Sequence, residues 1–508
     1  MTAHDPGLAQ ATLDAFRKAF ESPMAGDPIL AKMLEKSTFA QSASAISGLT
    51  YYDLEAGAKF LYPVLTPLRN VIPRVSGKGG IQANWRGVTG VNTSGIRLGV
   101  SGGNRGGVMA VTTQDYTASY KGIGLEGNVD FEAQYAGQEF DDIRAIAAKT
   151  LLEATMIGEE QIILGGNGSV NLGTTPTPTV AGVASGGALA DATYSVICVA
   201  LTLDGYLNGS VAGGIQAQIT RTNADASTDT FGGGAAQQSA NATATVSGGS
   251  GAGSVTAKVA VVKGAVAYAW FWGSAGSEKL GAITTINSVV ITAAAAGTQT
   301  ALSLGTTDYS SNALVFDGLL SLAAKSGSNS YFASQPVGTL GTGTALTSDG
   351  AGGIVEIDTA LKSFWDNYRL SPDTIWVNSQ EALNISKKIL AGSATAAQRF
   401  VFESEQSALG GGIMVRTYLN RFSMAGGSVI DIKVHPNMPA GTILFTTNKL
   451  PYPLSNVGNV MQIRTRQDYY NIAWPLRSRK YEQGVYADEV LQHYFTPSLG
   501  IITNIANG

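Results

Sequence analysis

Helical and strand-like spacings of apolar residues alternate along this chain. Between Gln138 and Ile163, the residues Phe140, Ile143, Ala147, Leu151, Ala154 and Ile157 fall on one face. They predict a helix of 26 residues, about 39 Å long. Glu139, Asp141 and Asp142 suit its positive end, and Gly165 and Gly166 stop it. Ile354, Ile357, Leu361, Phe364 and Tyr368 predict a second amphipathic helix, with a strand at Thr374–Asn378 and a helix at Gln380–Leu390 after Pro372. Near the start, Leu13, Phe16 and Phe20, then Ile29, Met33 and Leu34, predict two short helices in an arm (1–47) too short to fold alone. Runs at Tyr194–Leu203, Val255–Val262, Ala267–Trp272 and Ile283–Thr292 have strand character, as do Ile413–Tyr418, Thr442–Thr447 and the stretch to Ile505.

Breakers divide these elements. Tyr62 to Pro73 holds three prolines in twelve residues, which predicts an extended strap (48–75) with no helix. Ser76 to Gly107 contains eleven glycines, with strand pieces near Ile81–Trp85 and Ile96–Val100. It is expected to form a long β-hairpin (76–114) carrying Lys78, Arg86, Arg97 and Arg105. No acid lies between Ser76 and Gln114. A thin glycine-rich hairpin buries too little surface to order itself, so docking on another subunit should order it.

Conversely, Glu153, Glu159 and Glu160 sit towards the negative end of the long helix and need basic groups from elsewhere. The expected contact joins Arg86 and Arg97 of one subunit to these acids of another. Gly158 inside that helix costs about 1 kcal/mol relative to alanine.

Composition narrows the function. With 508 residues, two or more domains are expected. Residues 174–307 hold nine charged residues among many Ser, Thr, Ala and Gly, so they read as a separate all-β sandwich inserted in a surface loop. A net charge of -4 gives no case for sequence-reading nucleic-acid binding. The single cysteine, Cys198, excludes an intrachain disulfide and reads as core filler. No signal-peptide pattern and no run of 18 apolar residues occurs, so residence in a host cytoplasm and no membrane partner are expected.

The order of strap, glycine-rich hairpin, long helix, mixed α/β region and returning C-terminal strands, with Tyr62-Pro63-Val64-Leu65-Thr66-Pro67 and Tyr486-Ala487-Asp488-Glu489-Val490-Leu491-Gln492, resembles the tailed-phage major capsid protein fold. Herpesvirus shells and encapsulins share that fold. The resemblance implies an α+β chain with an N-arm and an extended loop reaching a neighbour. It also implies a peripheral domain (115–173) with spine helix 138–163, an axial domain (308–452) and a C-terminal segment (453–508) completing the body. Ala391 to Gly412 would be the loop meeting its copies at five-fold and six-fold centres.

The inserted sandwich is similar to immunoglobulin-like or fibronectin type III modules at Ala192–Ala200 and Gly264–Tyr268. The function implied is self-assembly into pentamers and hexamers of an icosahedral head enclosing the phage genome. Non-specific contact with packaged double-stranded DNA goes with it, as do portal, scaffold or decoration proteins and a place in the virion. An encapsulin-like compartment is the alternative, and a tail or adhesin protein a more distant one. Some relatives crosslink subunits through a lysine. Lys78 is the one lysine on the hairpin, and no matching catalyst is found for it.

No enzyme is expected, and no cofactor or metal. Gly122-Ile123-Gly124-Leu125-Glu126-Gly127 spells a dinucleotide fingerprint, but the extended pattern continues through Asn128 to Phe131. His4, His435 and His493 are scattered. Tyr469, Tyr470, Trp474 and Tyr481 lie among Arg464, Arg466, Arg477, Arg479 and Lys480, a mix read as packing with at most weak DNA contact.

Overall fold

The structure is a computed structural model that describes residues 60–91, 101–137, 142–391, 414–424 and 427–506. The expected N-terminal arm, Arg97, the strand at 96–100 and the loop at 392–412 lie outside the described residues. The chain divides into two compact units, residues 1–61 with 137–141, and residues 62–136 with 142–508. All that follows concerns the second.

In chain order, a strap helix Pro67–Val71 leads to strands β1 (Arg74–Ser76), β2 (Gln82–Val91), β3 (Val111–Ser119) and β4 (Lys121–Asp130). A short helix Phe131–Gly137 and the spine helix Ile143–Gly165 follow. The middle segment carries β5 (Thr179–Val183), β6 (Ala192–Leu201), a one-turn helix Leu203–Leu207, β7 (Gln218–Thr222), β8 (Thr228–Gly232) and β9 (Ala242–Val246). It continues through β10 (Ser254–Lys258), β11 (Ala267–Gly273), β12 (Lys279–Thr284) and β13 (Ser288–Ile291). The remainder holds helix Leu319–Ala324, β14 (Tyr331–Ser334), helix Val355–Tyr368, β15 (Thr374–Val377) and helix Ser379–Ala391. Last come β16 (Thr417–Asn420), β17 (Ser428–Val434), β18 (Ile443–Thr446), β19 (Met461–Ala473), β20 (Lys480–His493) and β21 (Gly500–Thr503).

The strap does contain a helix, against expectation. Pro67 occupies its first turn, where a missing N–H removes no hydrogen bond and the fixed φ already suits a helix. The spine helix begins later than the apolar pattern suggests. Asp142 caps it by accepting from the backbone N–H of Arg144 and Ala145, and it ends at Gly166.

One four-stranded sheet, in the order β1-β19-β20-β4, lies along the spine helix, and β20 pairs with all of β4. The dinucleotide-like glycines 122, 124 and 127 are therefore strand residues, not a phosphate loop. A six-stranded sheet, in the order β14-β21-β18-β15-β17-β16, forms the second body. Helix Val355–Tyr368 buries Ile357, Ala360, Leu361 and Phe364, which share a core with Ile375, Ile430, Phe445 and Ile502. The C-terminal β21 sits between β14 and β18, tying the chain end into this sheet.

The middle segment forms a three-stranded sheet (β13-β10-β5) and a four-stranded sheet (β12-β11-β6-β9) with Val196, Cys198, Trp270, Val255 and Ile291 in one shared core. It is not a detached module. Ile197, Val199, Leu201, Ala269 and Phe271, on the other face of the four-stranded sheet, belong to the core that also holds Leu203, Ile163, Leu164, Phe316 and Leu319. Leu203 seats where a side chain on Gly165 of the spine helix would collide with it. The buried backbone N–H of Asn287 donates to Asn504 Oδ1 (2.9 Å), and Gly341 N–H donates to Ser288 Oγ (3.1 Å).

Candidate assembly surfaces

Strands β2 and β3 pair antiparallel from Gln82↔Ser119 to Val91↔Val111, with a register shift between Val88 and Gly90. The base of this ribbon is anchored. Ala83 is buried in the body core, and Trp85 stacks on Tyr116 (centroids 5.6 Å apart) and meets Tyr494 edge-on at 5.9 Å. Farther out no described residue gives the ribbon such cover: Val88, Val91, Val108, Met109 and Val111 are all exposed, Val108 to 90%. A two-stranded ribbon without a hydrophobic face is marginal in water.

Its charges are arranged differently from the expectation. Arg86 donates to Asp115 on the paired strand through Nε (2.6 Å) and Nη2 (2.9 Å). That bond holds Asp115 below its ordinary pKa. The acid lies one residue beyond the acid-free stretch, so Arg86 already has a partner within its own ribbon. Lys78 and Arg105 are exposed and form no ion pair among the described residues.

The three acids of the spine helix divide sharply. Glu153 is partly exposed, accepts from the Tyr62 hydroxyl and faces Lys149 at 3.8 Å. Glu159 and Glu160 are 1% and 0% exposed, which rules them out as acceptors for an arginine of a neighbouring copy. Their partners come from the strap of the same chain. Glu160 accepts from the backbone N–H of Leu68 and of Arg69 (2.8 Å each), the free donors at the start of the strap helix, and its Oε1 lies 2.7 Å from Nε2 of buried His435. Glu159 accepts from Arg69 Nε (2.8 Å), from Arg74 and from the Tyr469 hydroxyl.

Arg74 also reaches Glu489 Oε2 (2.6 Å) and Asp468 Oδ1 (2.7 Å), and the Arg69 and Arg74 guanidinium groups lie over the Tyr469 ring at 5.1 and 4.9 Å. Burial, then the charge of Glu159, pushes Glu489 up to about 8 against the pull of Arg74. This knot clamps strap, spine, β19 and β20 together. Sequence reasoning missed Arg69 and Arg74; the signal was the unfavourable placement of two acids at a helix C-terminal end, which demanded cations without saying which.

The other singled-out residues take structural places. Cys198 is fully buried. His493 is buried beneath the ribbon, and burial lowers it to about 3, so its imidazole is neutral. Tyr481 stacks on Phe131 at 5.5 Å and lies under Arg144, while Arg466, Arg479 and Lys480 pair with Asp488, Glu132 and Asp130. Among the described residues no cluster of His, Cys, Asp or Glu could hold a metal, and no helix is long and apolar enough to cross a membrane.

No family model matches the sequence, and neither does any curated protein. Among solved structures, the chain is similar to the capsid of a native GTA particle (TM-score 0.40, 8% identity, 92% of this chain and 99% of that one). It is similar to the capsid of Myoviridae phage XM1 (0.38, 9%, 89% and 95%). It is also similar to the holo-SrpI encapsulin complex from Synechococcus elongatus (0.36, 9%, 89% and 93%).

Proposed function

We propose that this chain is the major subunit of a closed icosahedral shell, the head that encloses a tailed phage's genome, and that it acts by assembling with copies of itself. The observation that carries this reading is the β2–β3 ribbon: its base is locked by Ala83 and Trp85, while its outer half exposes a row of aliphatic side chains that no described residue covers. Fully burying one such side chain on a neighbour contributes about 1.5–3 kcal/mol. Two or three per contact make a weak bond that closes a container when repeated around symmetric rings.

A ribbon that grips must be held stiffly at its root, and the buried Arg69–Arg74–Glu159–Glu489 knot supplies that stiffness where the strap enters. The seven-strand sandwich, read as immunoglobulin-like, is a braced part of each subunit. Pentamers and hexamers of the chain, with non-specific contact to enclosed double-stranded DNA, follow from this reading. A compartment that encloses a cargo protein is the second reading, because the same ribbon serves either container. Nucleic acid inside purified particles favours the first, and a co-purifying enzyme the second.

Sedimentation velocity tests the proposal. The wild-type chain is expected in large particles, and Val108→Asp with Met109→Asp is expected as folded monomers. Wild-type material that stays monomeric, or a double variant that assembles normally, overturns the reading.

A further inference from the structure

A cavity of about 460 Å³ lies at the root of the β2–β3 ribbon, a volume that suits a small organic molecule. The ribbon contributes Trp85 and Tyr116 to its lining, and the body contributes Phe316, Leu322, Leu491 and His493. Most of this lining is apolar or aromatic.

His493 points to what the cavity takes. The residue is 4% exposed, and neither of its ring nitrogens has a hydrogen-bond partner among the described residues; Trp85 Nε1 has none either. Buried polar groups are nearly always paired, so unpaired groups on two residues that line one cavity call for a partner that enters it. Burial keeps the imidazole neutral, so it offers one N–H donor and one bare nitrogen. A hydroxyl answers either, because it both donates and accepts.

The charges of the lining do not cancel. Lys121 and Lys325 share the cavity with a single acid, Asp317. That acid is already engaged, since it accepts from Lys325 Nζ (2.9 Å) and from the backbone N–H of Gly168 and Ser169 (2.9 Å each). Lys121 Nζ donates to the Ala313 carbonyl and forms no ion pair among the described residues. One positive charge is left over, and a carboxylate would match it.

We propose that this cavity is a binding site for a small aromatic acid that carries a hydroxyl, with its carboxylate on Lys121, its hydroxyl on His493 and its ring among Trp85, Tyr116 and Phe316. Aromatic walls favour a planar ring over an aliphatic body of the same size. The bound acid touches ribbon and body at once, so it ties the ribbon root down. The site stands apart from the shell-subunit reading and does not depend on it.

Calorimetric titration of the full chain with para-hydroxybenzoate tests it, beside benzoate, which lacks the hydroxyl, and para-hydroxybenzamide, which lacks the charge. Saturable binding of para-hydroxybenzoate is expected, with each comparison probe about tenfold weaker, as the loss of one well-placed hydrogen bond or charge contact implies. His493→Leu should fold, because it removes a polar ring that has no partner, and should bind para-hydroxybenzoate and benzoate alike. Lys121→Gln, at a partly exposed position, should bind the acid and its amide alike. The absence of saturable binding to the wild-type chain would mean a cavity that holds water only, and it overturns the proposal. So does a variant that keeps the wild-type preference among the probes, or one that loses affinity for all three equally.

Discussion

Replacing Arg74 by methionine keeps much of the side chain's bulk and removes the one guanidinium shared by two buried carboxylates. Glu159 and Glu489 are 1% and 0% exposed, and Arg74 itself is 18% exposed. Removing one partner of a buried ion pair costs about 3–5 kcal/mol. Asp468, more than half exposed, adds under about 1 kcal/mol.

The cost should depend on pH. Glu489 is pushed up to about 8, so its stabilising contribution as a neutral acid is present at low pH and is lost as the pH rises through that value. At pH 6 the variant leaves chiefly Glu159 short of a partner, and Arg69 still holds it. At pH 9 the wild-type Glu489 is a carboxylate held by Arg74, and the variant takes that counter-charge away while the group still faces Glu159. The loss is expected near the bottom of the range at pH 6 and near the top at pH 9, read from urea unfolding of the unassembled subunit by tryptophan fluorescence. A loss below about 1 kcal/mol at both pH values, or a larger loss at pH 6, refutes the reasoning.

Other perturbations separate the remaining parts. Burial pushes Glu381 up to about 7 with no cation beside it, so folding stability should fall by about 3 kcal/mol as the pH rises from 4.5 to 7; Glu381→Gln should flatten that slope in urea midpoints taken from pH 5 to 8. Deleting residues 176–306 should give insoluble chain in a solubility assay, because it removes Leu203 and the sheet face around Ile197, Val199 and Phe271 from a shared core. Arg86→Ala should leave particle yield unchanged by sedimentation, since that arginine is bound to Asp115 of its own ribbon, whereas Arg105→Glu should lower it.

Much of this architecture was readable from spacing alone. Helix Val355–Tyr368 announces itself by five apolar residues on one face, and Gly165-Gly166 ends the spine helix as a stop signal should. The ribbon was legible because glycine density and strand character coincide between Ser76 and Val91. What stayed hidden was non-local. Arg69 and Arg74 meet Glu159 across 90 and 85 residues of chain, and no local pattern marks that pairing. Proline content misled about the strap, because position within a helix, not number, decides whether a proline breaks it. The docked sandwich left a trace that local reading underweighted: from Val196 to Leu201 strand β6 has no polar alternation, as a strand buried on both faces requires.

Electron microscopy of the purified full-length chain tests the central claim most directly. Closed round particles are predicted, with the outer half of the β2–β3 ribbon of each subunit, at Val88, Val91, Val108, Met109 and Val111, lying against an adjoining one. Isolated subunits at high concentration, with that outer half packed down on its own chain, would contradict it.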